Sequence, residues 1–444
     1  MNPVRSPCQK IFLIKNFWQS NNRVLLKTKV CSKSALCCIR QTSNGVKKII
    51  LIIIDGLGDK PIAELGNKTP LEAAYTPNLD YLAKNGICGL MEPCQFSWEK
   101  EPTSEGAHIG LFGYQGHFLG RGVYEVAGIG MAMQKGDVAL RVNFATVDKN
   151  LKIVDRRAGR IEKTRSLVKA LAKIEIEGIK FLLKKSYGHR AGLILRGKNL
   201  SDKISDGDSD QVELKPRKIV PLNNSKQARF TADILNKFLE KAYQILESHS
   251  LNKRRKNQGF LAANYLLVRG AGKYKKMPSF KKRYNLKAAC IAGGALYKGI
   301  AKTLGMDLIK VKGATGLANT NLKGKFLAVK NALRRKYNFV FCHIKATDTY
   351  GHDGDFLGKK KFIETIDEDI KTLFGLKNIL LIITADHSTP CQEKGHSADP
   401  VPILVWGAGK DEVAKFSERT CQKGKLGKFG ALKLFSKILE LSEG

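Results

Sequence analysis

The feature that most constrains the fold is a short, uninterrupted apolar run, Ile49 to Ile54, which leads directly into Asp55. Isoleucine and leucine without a polar interruption are typical of a central strand buried on both faces of a parallel sheet. The run is about a third of the length that a bilayer crossing requires, so it does not predict a transmembrane helix. Asn338–His343 and Asn378–Thr384 repeat the pattern, and each leads into polar residues. The sequence therefore predicts an α/β protein with a mostly parallel sheet.

The 444 residues are enough for more than one domain. The strand and helix patterns of residues 47–118 and 284–444 predict one discontinuous sheet domain flanked by helices. Residues 119–283 contain shorter, more alternating segments and basic linkers, which predict a smaller inserted α+β lobe. Residues 1–46 are basic and contain no acidic residue. That composition is typical of an organelle-targeting leader, but it also fits a disordered extension.

The chain carries 77 Lys and Arg against 40 Asp and Glu, a formal net charge of +37. Nucleic-acid binders usually concentrate basic charge, with interleaved aromatic residues, on one element. Here the charge is spread along the whole chain, which favours a lysine-rich composition or an anionic small-molecule substrate over nucleic acid.

The ten cysteines form no CxxC pair and no zinc-finger spacing. They predict reduced thiols and a cytoplasmic protein rather than a disulfide framework. Two glycine pairs, at Gly56-Leu-Gly58 and Gly270-Ala-Gly272, lack the remaining glycines of a dinucleotide fingerprint or a P-loop, so no nucleotide cofactor is predicted.

Acidic and histidine side chains follow the predicted strands, at the edge where an open α/β sheet places its ligand. They are Asp55, Asp348, His352, Asp386, His387 and His396. Carboxylate oxygen combined with imidazole nitrogen suits Mn²⁺, Zn²⁺ or Co²⁺, whereas Mg²⁺ prefers oxygen alone. The sequence therefore predicts a cluster that binds divalent metal.

Ser104 precedes a helix-like segment and can have either of two roles. It could cap the helix, the commonest use of a serine in that place. It could instead be a nucleophile whose phosphoester is held by helix N–H groups. Beside a metal cluster, the nucleophile is the favoured interpretation.

Ordered motifs on both sides of the predicted insert carry a resemblance to a known family. They are Ile-Asp-Gly-Leu-Gly-Asp from Ile54, the loop around Ser104, Lys-Ala-Thr-Asp-Thr-Tyr-Gly-His-Asp-Gly-Asp from Lys345, Thr-Ala-Asp-His from Thr384, and Gly-His-Ser-Ala-Asp-Pro-Val-Pro from Gly395. Together they resemble the alkaline phosphatase superfamily, and within it the archaeal type of cofactor-independent (2,3-bisphosphoglycerate-independent) phosphoglycerate mutase. The resemblance covers about residues 46–444.

The resemblance implies an alkaline-phosphatase-like fold, two divalent ions and no bisphosphoglycerate cofactor. One ion would be held by Asp55, Ser104, Asp386 and His387, and the other by Asp348, His352 and His396. Manganese is the expected metal, with Mg²⁺, Zn²⁺ and Co²⁺ as alternatives. The implied activity is that of an isomerase of glycolysis and gluconeogenesis, in which Ser104 takes the phosphoryl group from one glycerate hydroxyl and returns it to the other. One departure is Glu105, because the archaeal type usually has Asp after the serine.

The implied substrate is a small anion with a phosphate and a carboxylate, so the insert should supply cationic side chains. The candidates are Arg156, Arg157, Arg160, Arg190, Arg196 and, outside the insert, Lys298. Each could equally be a solvated surface charge. His189 is a candidate acid or base for the glycerate hydroxyls, with a structural histidine as the alternative. No nucleic-acid or membrane partner is expected, and the oligomeric state stays open.

Other activities with the same motifs stay open. A phosphopentomutase-like enzyme would use a threonine nucleophile, for which Thr103 is the candidate, and homoserine-kinase-like relatives share these motifs. A basic nucleic-acid-binding protein without catalysis is the alternative from another class.

Overall fold

A computed structural model of the chain describes residues 46–97 and 99–443. Apart from Val46, the predicted basic leader lies outside the described residues. The strands are β1 (Lys48–Ile54), β2 (Gly86–Glu92), β3 (Val138–Val147), β4 (Ile153–Asp155), β5 (Glu175–Ile176), β6 (Ile179–Lys185), β7 (Arg190–Arg196), β8 (Tyr265–Lys273), β9 (Ala288–Ile291), β10 (Asp307–Leu308), β11 (Phe339–Ile344), β12 (Ile379–Thr384), β13 (Val401–Trp406) and β14 (Gly427–Gly430).

The α-helices follow the strands in alternation over most of the chain. They are α1 (Pro70–Ala73), α2 (Pro77–Lys84), α3 (Ser104–Leu111), α4 (Arg121–Gly128), α5 (Arg165–Ala170), α6 (Lys226–Ser248), α7 (Ser250–Asn257), α8 (Phe280–Tyr284), α9 (Ala295–Thr303), α10 (Leu322–Arg334), α11 (Ala346–Asp353), α12 (Phe356–Ile370), α13 (Glu418–Cys421) and α14 (Leu434–Glu443). Short 3-10 helices cover Ala63–Leu65, Gln115–His117, Lys371–Leu373 and Ala431–Lys433.

The larger sheet has eight strands in the order β10-β9-β11-β1-β12-β13-β2-β14. Strand β1 lies between β11 and β12 and is parallel to both, with Ile50 opposite Val340 and Leu381. Ile49 to Ile54 are fully buried, as expected for a strand covered on both faces. The predicted fold class is therefore confirmed: a mostly parallel sheet flanked by helices.

One strand of this sheet, β13, runs against the others. Strand β13 is antiparallel to both β12 and β2, whereas β14 is parallel to β2. The sequence predicts a closing helix over 430–441, but the helix α14 begins at Leu434. Gly430 instead ends β14, because its segment pairs with β2 before the chain turns into the helix.

The smaller sheet lies entirely within the predicted insert. Its order is β4-β3-β7-β6-β5, with β8 also paired to β3, and its neighbouring strands are antiparallel. Because side chains alternate along β3, Val142 and Phe144 face one hydrophobic core, while Ala139 faces the core of the larger sheet. The division into a sheet domain and an inserted lobe stays a prediction, and the two separate sheets support it.

Helices α4 and α9 pack closely between the two sheets. A β-carbon on Gly128 would lie 1.8 Å from the carbonyl oxygen of Ala295, and one on Gly299 would lie 1.7 Å from that of Tyr124. Only glycine fits at these two contacts. The contact places the first helix of the predicted insert against the helix that carries Tyr297.

No helix in the ranges 46–97 and 99–443 is long and apolar enough to cross a membrane. The six cysteines in those ranges are free and buried.

Candidate active site

The predicted metal ligands converge at the carboxyl ends of three adjacent strands. Asp55 follows β1, Asp348 lies on α11 directly after β11, and Asp386 and His387 follow β12. Because β11, β1 and β12 are neighbours in the sheet, residues that are some 290 to 330 positions apart in sequence become neighbours in space. His396 joins them from the loop that precedes β13.

Four of the predicted residues form a deeply buried half of the cluster. His387 Nε2 lies 3.7 Å from Asp55 Oδ1 and 3.3 Å from Asp386 Oδ2. The hydroxyl oxygen of Ser104 lies 3.4 Å from the same Nε2 atom. Asp55, Asp386 and His387 are fully buried, and Ser104 is 3% exposed.

The other three predicted residues form a more open half. Asp348 Oδ1 lies 3.4 Å from His352 Nε2 and 3.2 Å from His396 Nε2, and the two Nε2 atoms are 3.1 Å apart. The side chain of His352 is 41% exposed and that of His396 is 19% exposed.

Asp348 also reaches the buried half. The ligand atoms of Asp348, His352 and His396 lie within 4.8 Å of one another, and so do those of Asp55, Asp348 and His387. The resemblance assigns Asp348 to one ion only, whereas this geometry places its carboxylate between the two groups.

Ser104 is the first residue of α3, and the capping role belongs to Thr103. The hydroxyl of Thr103 accepts a hydrogen bond from Gly106 N at 3.1 Å and donates one to Glu99 Oε1 at 2.6 Å. The Ser104 hydroxyl is thereby left to face His387. The first turn of α3 carries the positive end of the helix dipole, which favours a negatively charged group beside Ser104.

Side chains that the sequence analysis missed hold the carboxylate of Asp55. The Tyr297 hydroxyl donates to Asp55 Oδ2, His343 Nε2 lies 3.0 Å from the same oxygen, and Lys345 Nζ donates to Oδ1 at 3.2 Å. Lys345 also donates to Asp348, so its ammonium connects the two halves. His343 and Lys345 lie in the same segment as Asp348, but no sequence signal links Tyr297 to a residue 242 positions away.

Burial and crowding of like charges shift the pKa values in the buried half. Burial and the neighbouring Asp55 carboxylate raise the pKa of Asp386 to about 7. Burial and the neighbouring ring of His396 lower the pKa of His387 to about 3, so this imidazole is neutral at neutral pH. A neutral imidazole is the form that binds a metal ion.

One buried oxygen in the cluster lacks a hydrogen-bond partner. It is Asp386 Oδ2, although the His108 and His387 rings lie 3.5 and 3.3 Å away. Buried polar atoms are normally paired, so an unpaired carboxylate oxygen among imidazole nitrogens fits a ligand position for a divalent cation.

Cationic side chains gather on one face of the smaller sheet. Arg190 begins β7 opposite Asn143 of β3, and Arg141 lies two residues before Asn143 on the same face. Burial, together with the charges of Arg121, Arg190 and Arg269, lowers the pKa of Arg141 to about 9. Although burial acts the other way, the carboxylates of Glu105, Glu125 and Asp348 raise the pKa of the neighbouring Arg121, so these arginines lie within electrostatic reach of Asp348 in the candidate metal cluster. Arg121 and Arg141 were not among the predicted substrate residues.

The remaining predicted substrate residues have varied surroundings. Arg156 donates to Asp208 at 3.0 and 2.7 Å and to Asp210 at 2.6 Å, and Arg196 donates to Asp137 at 2.7 Å. These two guanidinium groups are therefore held by carboxylates of the same lobe. Arg157 and Arg160 are exposed, and Lys298 is half-buried near Cys290 and Lys310.

His189 lies beside the arginine face. Burial lowers its pKa to about 4, and the charges of Arg190, Arg157 and Arg141 act in the same direction. Its imidazole is therefore neutral at neutral pH, able to accept a proton but not to supply one.

Comparisons with known proteins identify the family. The model of the Metalloenzyme superfamily matches residues 47–440. The 2,3-bisphosphoglycerate-independent phosphoglycerate mutase 1 of Archaeoglobus fulgidus is 46% identical over 404 residues, which cover 88% of this chain and 97% of that protein. The solved structure of the PH0037 protein from Pyrococcus horikoshii is 34% identical with a TM-score of 0.77, and covers 90% of this chain and 98% of that one.

A second solved structure, the cofactor-independent phosphoglycerate mutase from Thermoplasma acidophilum, is 35% identical with a TM-score of 0.64. The match covers 89% of this chain and all of that one. At these identities and coverages, the chain belongs to the Metalloenzyme superfamily and, within it, to the 2,3-bisphosphoglycerate-independent phosphoglycerate mutases.

Proposed function

We propose that this chain interconverts 2-phosphoglycerate and 3-phosphoglycerate through a phosphoserine on Ser104, as an isomerase of glycolysis and gluconeogenesis. The observation that carries the proposal is the position of the Ser104 hydroxyl, 3.4 Å from His387 within a cluster of six Asp and His side chains. That arrangement puts a nucleophile where a phosphate would meet the divalent ions that these side chains would hold, beside a helix N-terminus.

Two divalent ions, for which Mn²⁺ is the expected metal, fit the donors present. Asp55, Ser104, Asp386 and His387 would hold one, and Asp348, His352 and His396 the other. When bound, such ions favour the deprotonated serine and stabilise the charge that develops on the entering and leaving oxygens.

In the first transfer, Ser104 Oγ attacks phosphorus in line as the bond from phosphorus to one glycerate oxygen breaks. The proton that Ser104 loses as the new P–O bond forms balances the proton that the departing glycerate oxygen takes up, so the transfer releases no net proton. In the second transfer, the other glycerate hydroxyl attacks the phosphoserine, loses its proton, and returns Ser104 to a free hydroxyl. The first turn of α3 favours the phosphoserine dianion throughout.

The residues of the predicted insert would hold the glycerate between the two transfers. Arg190 and Arg141 can bind the carboxylate or the phosphate in a bidentate manner, beside Arg121, which itself donates to Glu105 at 2.8 Å. His189, neutral among these cations, is placed to accept a proton from a glycerate hydroxyl. Residues 119–283 would thus act as the substrate-binding lobe.

The test is to compare the wild-type protein with Ser104→Ala in the presence of Mn²⁺ and 3-phosphoglycerate, with no bisphosphoglycerate added. We expect the variant to lose about 10³-fold or more in turnover, because no other hydroxyl takes its place. Mass spectrometry of wild-type protein quenched with substrate should find phosphate on the peptide that contains Ser104. Full activity of Ser104→Ala, or phosphate on another residue, would contradict the proposal.

A further inference from the structure

Beneath the metal cluster lies a lysine whose side chain is fully buried. Lys359, on α12, donates to the carbonyl oxygen of Gly58 at 3.1 Å, to Asp59 Oδ2 at 2.7 Å and to the carbonyl oxygen of Thr389 at 3.0 Å. Its side chain is 0% exposed and that of Asp59 is 1% exposed. A lysine is almost never buried to this extent unless it is paired, and here all three donors of the ammonium are used.

The two carbonyl groups belong to the two loops that carry the buried ligands. The first loop, residues 55–59, begins with Asp55, and the second, residues 386–389, begins with Asp386 and His387. The loops also bond directly: Thr389 N donates to the carbonyl oxygen of Gly58 at 3.0 Å, and Gly56 N donates to Asp386 Oδ1 at 3.2 Å. The ammonium of Lys359 therefore holds the two loops together, because it donates to a backbone carbonyl oxygen in each of them.

The second loop, residues 386–389, is also hydrogen-bonded to the open half of the cluster. The Thr389 hydroxyl donates to Asp348 Oδ1 at 3.0 Å. Ser397 N donates to the carbonyl oxygen of Ser388 at 3.0 Å, which ties the segment of His396 to the second loop. A shift of the second loop would therefore move ligands of both halves.

Asp59 completes the buried arrangement. Its Oδ1 accepts hydrogen bonds from Lys60 N at 2.9 Å and Cys391 N at 3.1 Å, while its Oδ2 is bound by the ammonium. Without the ammonium, a buried carboxylate and two buried carbonyl oxygens would lose a donor, a cost that the loops can relieve only by moving.

We propose that Lys359 is a positioning residue for phosphoryl transfer, which holds the Asp55 loop and the Asp386 loop at the separation that metal binding requires. The inference rests on the proposed function, because it assumes that these loops bind the catalytic ions. Lys359 acts through the loop backbone and Asp59, and none of its three hydrogen bonds goes to a proposed ligand side chain.

The test uses three variants of the full chain. Lys359→Met keeps the length of the side chain and removes the ammonium. Lys361→Met is the matched control, because it makes the same change on the same helix at a side chain that is 82% exposed. The double variant Lys359→Met with Asp59→Asn also removes the buried charge that the single change leaves unpaired. For each we would measure the Mn²⁺ dissociation constant by calorimetry, the Tm of the metal-free protein, and kcat and KM.

Loss of a group that orients metal ligands typically costs ten- to a hundredfold in metal affinity or activity. We expect Lys359→Met to weaken Mn²⁺ binding about tenfold or more and to lower kcat by a similar factor, with KM changed less than about threefold. Lys361→Met should match the wild-type protein. In the double variant, the metal-free Tm should recover while the Mn²⁺ affinity stays low, because the buried charge is gone but the loops are still not fixed.

Three results would overturn or redirect the inference. If Lys359→Met binds Mn²⁺ as tightly as Lys361→Met, the positioning role is wrong. If the double variant regains Mn²⁺ affinity together with Tm, Lys359 contributes only general stability, and the inference also fails. If the wild-type protein binds no Mn²⁺, the proposed function fails first, whereas Mn²⁺ binding without mutase activity would leave the effect on affinity measurable. Should Lys359→Met not fold, the double variant provides the affinity comparison.

Discussion

The two halves of the candidate metal cluster differ in how they are exposed and held. In the buried half, Asp55, Asp386 and His387 are fully buried, whereas His352 and His396 of the open half are 41% and 19% exposed. Desolvation shifts pKa values strongly in the first half, because charges removed from water must be balanced by neighbouring groups. The open half keeps access to solvent, so we expect an ion held there to exchange more easily than one held in the buried half.

The groups that orient the ligands differ in the same way. The Asp55 carboxylate is held by the side chains of Tyr297, His343 and Lys345. In the open half, the rings are held by backbone instead: His352 Nδ1 lies 2.9 Å from the carbonyl oxygen of Lys394, and His396 Nδ1 lies 2.7 Å from that of Pro102. An Nδ1–H that donates to a carbonyl leaves Nε2 free as a ligand, which fixes the ring but leaves it at the surface.

The largest expected contrast is between Asp386→Asn and His352→Ala. Asp386→Asn keeps the shape of a buried ligand and removes its charge, so we expect turnover to fall about 10³-fold with no recovery at high Mn²⁺. His352→Ala removes one exposed ligand, and we expect a loss of about ten- to a hundredfold that excess Mn²⁺ partly restores. Turnover measured over a range of Mn²⁺ concentrations would show whether excess metal restores one variant and not the other. Equal losses with equal recovery would show that the difference in burial has no functional consequence.

Metal binding in the buried half should depend on pH through the carboxyl of Asp386. With a pKa of about 7, Asp386 holds a proton below neutral pH, and a metal ion must displace it. We therefore expect Mn²⁺ affinity to fall by up to about tenfold per pH unit below pH 7. Calorimetric titrations between pH 5.5 and 8 should show this dependence in wild type and a weaker one in Asp386→Asn.

The same carboxyl predicts the sign of a stability change in the metal-free protein. The pKa of Asp386 is raised in the folded state, so its protonated form stabilises the fold. This contribution to the free energy of unfolding is fully present below the pKa that Asp386 has in the unfolded chain, and it is lost as the pH rises through about 7. The Tm of wild type relative to that of Asp386→Asn should therefore decrease between pH 5 and 8. An unchanged difference would mean that the carboxyl does not titrate in that window.

A smaller effect is expected in the arginine face, where two predicted substrate residues differ in their partners. Burial lowers the pKa of Arg190, which lies among the charges of Glu125, Arg121 and Arg157, whereas Arg196 is bound to Asp137 at 2.7 Å. We expect Arg190→Met to raise KM about tenfold with little change in Tm, because the variant loses one charged contact to the substrate. Arg196→Met should leave KM unchanged and destabilise the protein by about 1–3 kcal/mol, because the buried Asp137 carboxylate loses its cation and keeps only the hydrogen bond from Gln134 N. The reverse pattern would show that Arg196, and not Arg190, binds substrate.

The sequence predicts the site where the chemistry follows a strand directly. Strands β1, β11 and β12 are mostly apolar, and Asp55, Asp348 and Asp386 follow within four residues of the strand ends, so the fold class and the positions of the candidate ligands can be inferred from local pattern. Strand β2 could not be predicted in this way. Its sequence, Gly-Ile-Cys-Gly-Leu-Met-Glu, contains two glycines, and its place in the sheet depends on pairing with β13.

Partnerships across long sequence distances also escaped prediction. Arg156 is a predicted substrate residue, and nothing in the local sequence indicates that Asp208, 52 positions away, binds its guanidinium. Tyr297 gave no signal, because its contact with Asp55 exists only once α9 has packed on the sheet. Charge and residue type indicate what a side chain can bind, whereas the tertiary fold decides which of several partners it meets.

The smallest expected effect concerns Thr103, the residue before the proposed nucleophile Ser104. Its substitution discriminates between a phosphoglycerate mutase and a phosphopentomutase-like enzyme. A phosphopentomutase-like enzyme would use Thr103 to carry the phosphoryl group, but this hydroxyl already accepts from Gly106 N and donates to Glu99. A hydroxyl that caps a helix contributes about 1 kcal/mol to stability, so Thr103→Ala should lower Tm by a few degrees. Turnover should fall less than about threefold, since Ser104 keeps its place at the start of α3 and an orphan N–H in the first turn is partly satisfied by water. If Thr103→Ala instead abolishes turnover while Ser104→Ala does not, Thr103 and not Ser104 carries the phosphoryl group. The buried half of the cluster would then act on the Thr103 hydroxyl.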